Sequence, residues 1–315
     1  MIKSRLWLVL LTLAAAAAGS IYPITKLLVV EISPLSLAFL RYFLAVLPLT
    51  PFFLVEYTRK KVRIPARDYT SMLSLGLLGV AGFSLAFFYG VNLSTSSNGS
   101  ILINTQPIFA AFLAPLLVDE RFTLKSILGS ALGIVGILLV VTGGRWSALS
   151  FEKGVLLGNI ILLGASLSLT LYSILLKRYI TRYGGVIPTF VTMVSGTLAL
   201  CIVVLSVQGY LFHIRSLTGF EILFLLYIGF FCTAYFFLVF NRALHEVGVV
   251  ESIGFKLLIP IFGVVLSMII LGERPLPLSY AGMGVVIVSL VVIQLRLRTS
   301  DRSSQKSEGT MSNEN

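Results

Sequence analysis

"QPIFAAFLAPLLVDERFTLKSILGSALGIV" runs from Gln106 to Val135, and "IPIFGVVLSMIILGERPLPLSYAGMGVVIV" runs from Ile259 to Val288. The two segments align without a gap at an offset of 153 positions. Pro107 answers Pro260, Phe109 answers Phe262, Leu113 answers Leu266, Glu120 and Arg121 answer Glu273 and Arg274, and Gly129 answers Gly282. Any two apolar segments share aliphatic positions, but proline, a Glu-Arg pair and glycine coinciding in one register point to an internal duplication. The register extends upstream to Gly76 and Gly229.

Both copies are greasy, and so is the rest of the chain. Of 315 residues, 57% are hydrophobic and 12% charged, with a mean hydropathy of +0.97. A soluble domain carries about half apolar and a quarter charged residues, so the composition excludes one. Apolar runs near 6 to 29, 34 to 55, 69 to 91, 95 to 117, 123 to 143, 154 to 177, 186 to 208, 219 to 241, 247 to 271 and 277 to 296 approach the length a helix needs to cross a bilayer. The expected fold is an all-α membrane protein of ten transmembrane helices. The N-terminal "MIKSRLWLVLLTLAAAAAG" has the charged start and apolar core of a signal peptide, but its apolar stretch continues to Val30, so it reads as a retained first helix.

The net charge of +11 lies in loops and termini, where membrane topology accounts for it without nucleic acid. With a cytoplasmic N-terminus, that side collects Lys3, Arg5, the cluster from Arg59 to Arg67, Arg121, Lys125, Lys177, Arg178, Arg182, Arg242 and the tail. The other side keeps Lys26, Arg145, Lys153, Arg215 and Arg274, so both termini are expected in the cytoplasm and the chain in the plasma membrane. The first repeat is assigned to residues 1–148 and the second to 149–297, with a disordered cytoplasmic tail over 298–315. Five spans per repeat is an odd number, so the second repeat enters the membrane inverted. Inverted repeats allow a central site to open alternately to each side, which points to transport.

Other classes lack their signatures. The two histidines, His213 and His245, fall on a loop or helix end, and no nucleophile stands with a base. No phosphate-binding glycine loop and no cofactor motif is present. Cys201 and Cys232 lie within predicted spans and suggest neither a disulfide framework nor a metal site. A non-transporting membrane scaffold would need neither the inverted repeats nor a charge in mid-span.

With "SLAFLRYFLA" around Arg41, the two proline-to-glutamate segments, and the "GSALGIVGILLV" and "AGMGVVIVSLVVI" helices that follow, the chain resembles the drug/metabolite transporter superfamily, specifically its EamA-like ten-helix members. The resemblance covers nearly the whole chain before the tail. It implies a ten-helix bundle with cytoplasmic termini, a central cavity near the pseudo-twofold axis, and alternating access for amino acids, drugs, sugars and other metabolites, often outward. Many members carry a Trp-Gly pair in the first helix; here Ala18 precedes Gly19.

A charge at membrane depth is costly and by default faces the bundle interior. Lys256 lies one turn before Pro260, and its repeat counterpart is Ile103, so the charge breaks the symmetry of the duplication. It would meet a carboxylate or phosphate on a substrate. Alternatively, Glu251 neutralises it in a structural pair. Asn104, Gln106 and Ser100 bring polar groups to the fourth span beside Pro107, and Tyr22 and Tyr235 offer hydroxyls to a cavity. These residues, with Lys256, are the candidate substrate-binding set. Lys256 and Glu251 are the candidates for coupling to protons. Arg41, which the resemblance places in members with unlike substrates, is read as structural. Lys26 near the outer interface, Pro107, Pro260, and the boundary carboxylates Glu120 and Glu273 are read as structural or gating residues. The expected partners are the lipid bilayer and a small metabolite, an amino acid or organic anion being the leading cargo and a phosphorylated or nucleotide-linked metabolite, taken by exchange, the alternative.

Overall fold

Peptide groups in a bilayer find no water, so a spanning chain satisfies them internally, and an apolar sequence without paired-strand patterning folds into helices. The computed structural model describes residues 2–28, 30–61, 63–94, 102–118, 120, 123–145, 153–210, 217–272 and 274–293. Among these residues there is no strand. The helices are α1 (Ile2–Gly19), α2 (Ile21–Leu28), α3 (Pro34–Lys60), α4 (Ala66–Gly76), α5 (Phe83–Leu93), α6 (Gln106–Leu117) and α7 (Leu124–Thr142), followed by α8 (Lys153–Tyr183), α9 (Val186–Gln208), α10 (Gly219–Tyr227), α11 (Phe236–Glu246), α12 (Val249–Gly254), α13 (Leu258–Leu271) and α14 (Pro277–Ile293). Taken with their continuations, eight rods among the described residues are long and apolar enough to cross a membrane, while α6 and α14 are shorter apolar helices. The chain is an integral membrane protein.

Several rods are broken where the sequence reads as continuous. The expected helix over 6 to 29 divides at Ser20, three residues before Pro23, whose ring nitrogen has no N–H to give. A π-helical segment, Leu77–Gly82, joins α4 to α5, and a second, Ile228–Tyr235, joins α10 to α11. Each widened turn is served by a hydroxyl: Ser168 donates to the Leu78 carbonyl at 2.8 Å, and Thr233 to that of Ile228 at 2.9 Å. The expected helix over 95 to 117 is interrupted by a turn at Asn104 and Thr105, and that over 247 to 271 by a 3-10 turn at Phe255–Leu257. The helix expected over 154 to 177 is α8, which runs to Tyr183, so Lys177, Arg178 and Arg182 are helical.

Packing pairs these elements across the two halves. α8 lies against α6 and α5, as α1 lies against α13 and α11; α9 lies against α4, as α3 lies against the second π segment. The α7 and α14 helices meet through small residues, which let backbones approach closely. A Cβ added at Gly129 would stand 2.6 Å from Ile293 and 3.3 Å from the Ser289 carbonyl oxygen. One added at Gly282 would stand 2.6 Å from Val140 and 2.7 Å from the Gly136 carbonyl oxygen. Val140 and Gly136 are the counterparts of Ile293 and Ser289 at the same offset of 153. The core between the halves is filled by fully buried Tyr42, Met72, Tyr172, Ile187 and Phe240.

One end of the bundle carries Lys60, Arg182, Arg242 and Lys177 and is called the basic end below.

Candidate functional site

Proline cannot donate to the carbonyl four residues back, so Pro107 and Pro260 each free one carbonyl in mid-helix. Pro107 frees that of Ile103, and Pro260 that of Lys256. Both segments tighten just before their proline, by a turn at Asn104 and Thr105 in one and by a 3-10 turn at Phe255–Leu257 in the other, which overlap at Asn104 and Leu257 in the register of 153. The freed Ile103 carbonyl accepts from the Gln106 side-chain amide at 3.1 Å and from Ser166 Oγ at 3.3 Å. Ser166 also pairs with Thr105 Oγ1 at 2.9 Å.

Gln106 then spans the two breaks. Its Oε1 accepts from Lys256 Nζ at 2.9 Å, while the ammonium rests 4.1 Å from the centroid of the Phe240 ring. Lys256 and Gln106 are 7% and 4% exposed, so the bond is shielded from solvent. Lys256 takes part in none of the ion pairs among the described residues. An ammonium carries three donors. One is used on Gln106, a neutral acceptor, and the ring face offers only an electrostatic cushion. The arrangement leaves positive charge and donor capacity for an anionic group beside the paired breaks.

Glu251, considered above as the counter-charge, is buried on α12, and its carboxylate turns back over Gly248, where an added Cβ would lie 2.6 Å from Oε2. Gly248 adopts φ 104°, a conformation that favours glycine. The same spot lies 3.4 Å from Glu120 Oε1. Glu120 accepts from the Val249 and Val250 amides at 2.5 and 3.3 Å and from Lys177 Nζ at 2.8 Å. A carboxylate of the first half therefore caps a helix of the second and holds α8 beside it, at the basic end.

The remaining candidates are dispersed. Asn104 is buried in the turn before Gln106. Tyr22 is 43% exposed and lines a cavity of about 380 Å³ that includes neither Lys256 nor Gln106, with Pro260, Gly263, Ser267 and Arg274 at the end opposite the basic one. Tyr235 ends the second π segment, half-buried against the hydrophobic core. The Arg41 guanidinium lies 4.5 Å from the centroid of the Tyr42 ring, with Nε buried and unbonded. Ser100, Glu273 and the tail over 298–315 lie outside the described residues, and of Lys26 only the backbone, within α2, is described.

The ring that meets Lys256 was not legible beforehand, and neither were the partners of Asn241. Phe240 sits in the run "FFLVF", where nothing distinguishes the ring that meets Lys256 from its neighbours. Asn241, next to it and fully buried, donates to Tyr172 OH at 3.3 Å and Thr189 Oγ1 at 3.0 Å, and Tyr172 OH pairs with Thr192 Oγ1 at 3.1 Å. A buried asparagine among aromatics was the available signal. Among the described residues no three His, Cys, Asp or Glu side chains gather as a metal site, and both cysteines are free.

The family described as "EamA-like transporter family" matches residues 5–142 and 156–295. "Uncharacterized transporter YyaM" of Bacillus subtilis is 25% identical over 252 residues, covering 79% of this chain and 81% of that protein. "Uncharacterized transporter YetK" of the same organism is 24% identical over 303 residues, covering 96% and 90%. A "Probable terminal-alkyne amino-acid exporter" of Streptantibioticus cattleyicolor is 26% identical over 237 residues, covering 75% and 76%. A protein of known crystal structure shares the fold with a TM-score of 0.75 at 14% identity, over 92% of this chain and 97% of that one.

Proposed function

The chain belongs to the EamA-like transporter family, and we propose that it is a secondary exporter of small metabolites, amino acids or organic anions, working by alternating access in the plasma membrane with both termini in the cytoplasm. The observation that carries the reading is the bond from Lys256 to Gln106 across two broken helices. Discontinuous helices that meet in a bundle supply free backbone groups and charge for a substrate, and transporters place their sites at such breaks. A single ammonium beside a neutral amide suits one carboxylate. A phosphorylated or nucleotide-linked cargo, the alternative, carries more charge than one ammonium balances.

The exchange of contacts between Gly129 with Ile293 and Gly282 with Val140 supports two inverted five-helix repeats, over 1–148 and 149–297. In that arrangement Glu120 closes the basic end while the cavity at Tyr22 stands at the other. The relative named as an amino-acid exporter supports both the cargo class and the outward direction. Lys256 and Glu251 are the groups whose protonation would couple export to the proton gradient.

The test is uptake and counterflow in proteoliposomes with a panel of amino and organic acids, comparing wild type with Lys256→Met. Transport of a carboxylate-bearing substrate that is lost in the variant supports the reading. Unchanged transport of every accepted substrate removes Lys256 from the mechanism, and failure of any substrate to move under any gradient overturns the transporter reading.

A further inference from the structure

A second cavity, of about 1020 Å³, opens at the basic end between α3, the turn joining α8 to α9, and α11. It does not include Lys256 or Gln106. One wall is a single face of α3: Phe52, Val55 and Arg59 follow one another at helical spacing. Phe52 and Val55 are 59% and 63% exposed, so on a membrane-spanning helix they meet acyl chains. Two turns beyond Phe52 the same face ends in a guanidinium. The wall thus passes from lipid contact to positive charge within one cavity.

The opposite wall supplies Arg242 from α11, whose Cβ and Cγ lie 3.3 and 3.5 Å from where a Cβ on Gly185 would stand. Its stem therefore lies over the glycine turn between α8 and α9. That turn opens α9, a helix of 23 residues whose N-terminus has no side-chain cap and lines the cavity, adding the positive end of its dipole. The other charges are largely matched. Lys60 bonds Glu56 and Arg182 bonds Asp68 at 2.8 Å, and Glu246 has an interaction of its own. Arg59 and Arg242 enter no ion pair among the described residues. Two guanidiniums that form no ion pair among the described residues, although Glu56 and Glu246 also line the cavity, an uncapped helix start and an apolar wall continuous with lipid share one ligand chemistry.

We propose that this cavity binds the phosphodiester headgroup of an anionic phospholipid, with the phosphate between Arg59 and Arg242 and an acyl chain along Phe52 and Val55. Guanidinium suits phosphate because its fork of donors meets two oxygens at once. Basic pockets between membrane helices bind anionic headgroups for the same reason. A soluble phosphate would satisfy the guanidiniums but leave the wall of α3 without an occupant. The site stands apart from the proposed substrate site, and its test does not depend on transport.

The intact protein is purified and equilibrated with phosphatidylglycerol or phosphatidylcholine, and bound lipid is counted by native mass spectrometry. The double variant Arg59→Gln/Arg242→Gln is compared with Arg63→Gln/Arg67→Gln, which removes the same charge from exposed positions at the same end but outside the cavity. Wild type is expected to retain phosphatidylglycerol over phosphatidylcholine, and the cavity variant to lose that affinity by about tenfold or more. The control variant keeps it. Circular dichroism and monodispersity check that both variants fold, and a cavity variant that misfolds is replaced by Phe52→Glu, which is expected to expel the acyl chain with the same loss. Equal loss in the control, or no loss in the cavity variant, overturns the site. Displacement of the lipid by millimolar glycerol 1-phosphate would show a soluble-phosphate site and overturn the lipid assignment.

Discussion

Glu120 and Val249 lie 129 positions apart, and the carboxylate of one accepts the backbone N–H of the other at 2.5 Å. Helix starts carry unpaired N–H groups and a partial positive charge, so a carboxylate there satisfies both. Here the carboxylate comes from the other half of the molecule and also holds Lys177 at 2.8 Å.

Substituting Glu120→Gln keeps the shape but removes the charge that faces both Lys177 and the helix start. Lys177 is 20% exposed, so water softens its loss, and destabilisation of about 2 kcal/mol is expected. Thermal unfolding in detergent measures it. Adding Lys177→Met to Glu120→Gln should cost less than the sum of the single changes, because no half-buried cation is then left without its partner.

Gln106→Leu removes the acceptor of Lys256 and the donor to the Ile103 carbonyl together. For a carboxylate substrate KM should rise about tenfold, the worth of one charge-assisted hydrogen bond. A double-mutant cycle with Lys256→Met should give strongly non-additive effects on transport. Additive effects would separate the two residues functionally.

Pro260→Ala restores an N–H that can reach the Lys256 carbonyl and so favours a continuous helix through Phe255–Leu257. Amide exchange at those residues should slow. Straightening turns Lys256 away from Gln106, and KM should rise by about tenfold. Hydrogen exchange and proteoliposome uptake read the two halves of this expectation.

Gly282→Ala would place a Cβ 2.6 Å from the Val140 nitrogen and 2.7 Å from the Gly136 carbonyl oxygen, backbone atoms that cannot swing aside. It should destabilise by about 2 kcal/mol as the helices are forced apart. Gly284→Ala, two residues on, meets nothing within 4 Å and should be neutral or stabilising by up to about 1 kcal/mol through helix propensity. Melting temperatures of the pair provide the comparison.

The long apolar rods, the matching proline-to-glutamate segments and the position of an unusual charge are legible in the residues alone. Those features are local: lipid forces each apolar run to satisfy its own peptide groups, and Pro107 and Pro260 each deprive the carbonyl four residues back of its helical N–H donor wherever the helix lies. The partners of the polar groups were a different matter. Glu251 is five residues from Lys256 and invited pairing, yet the ammonium meets Gln106, 150 positions away, and the ring of Phe240. The π segments at Leu77–Gly82 and Ile228–Tyr235 left no mark that composition reveals. Which side chains meet depends on how each helix is rotated about its axis. That rotation is set by close contacts such as Gly129 with Ile293 and Gly282 with Val140, which form between helices far apart in the chain once the bundle is packed.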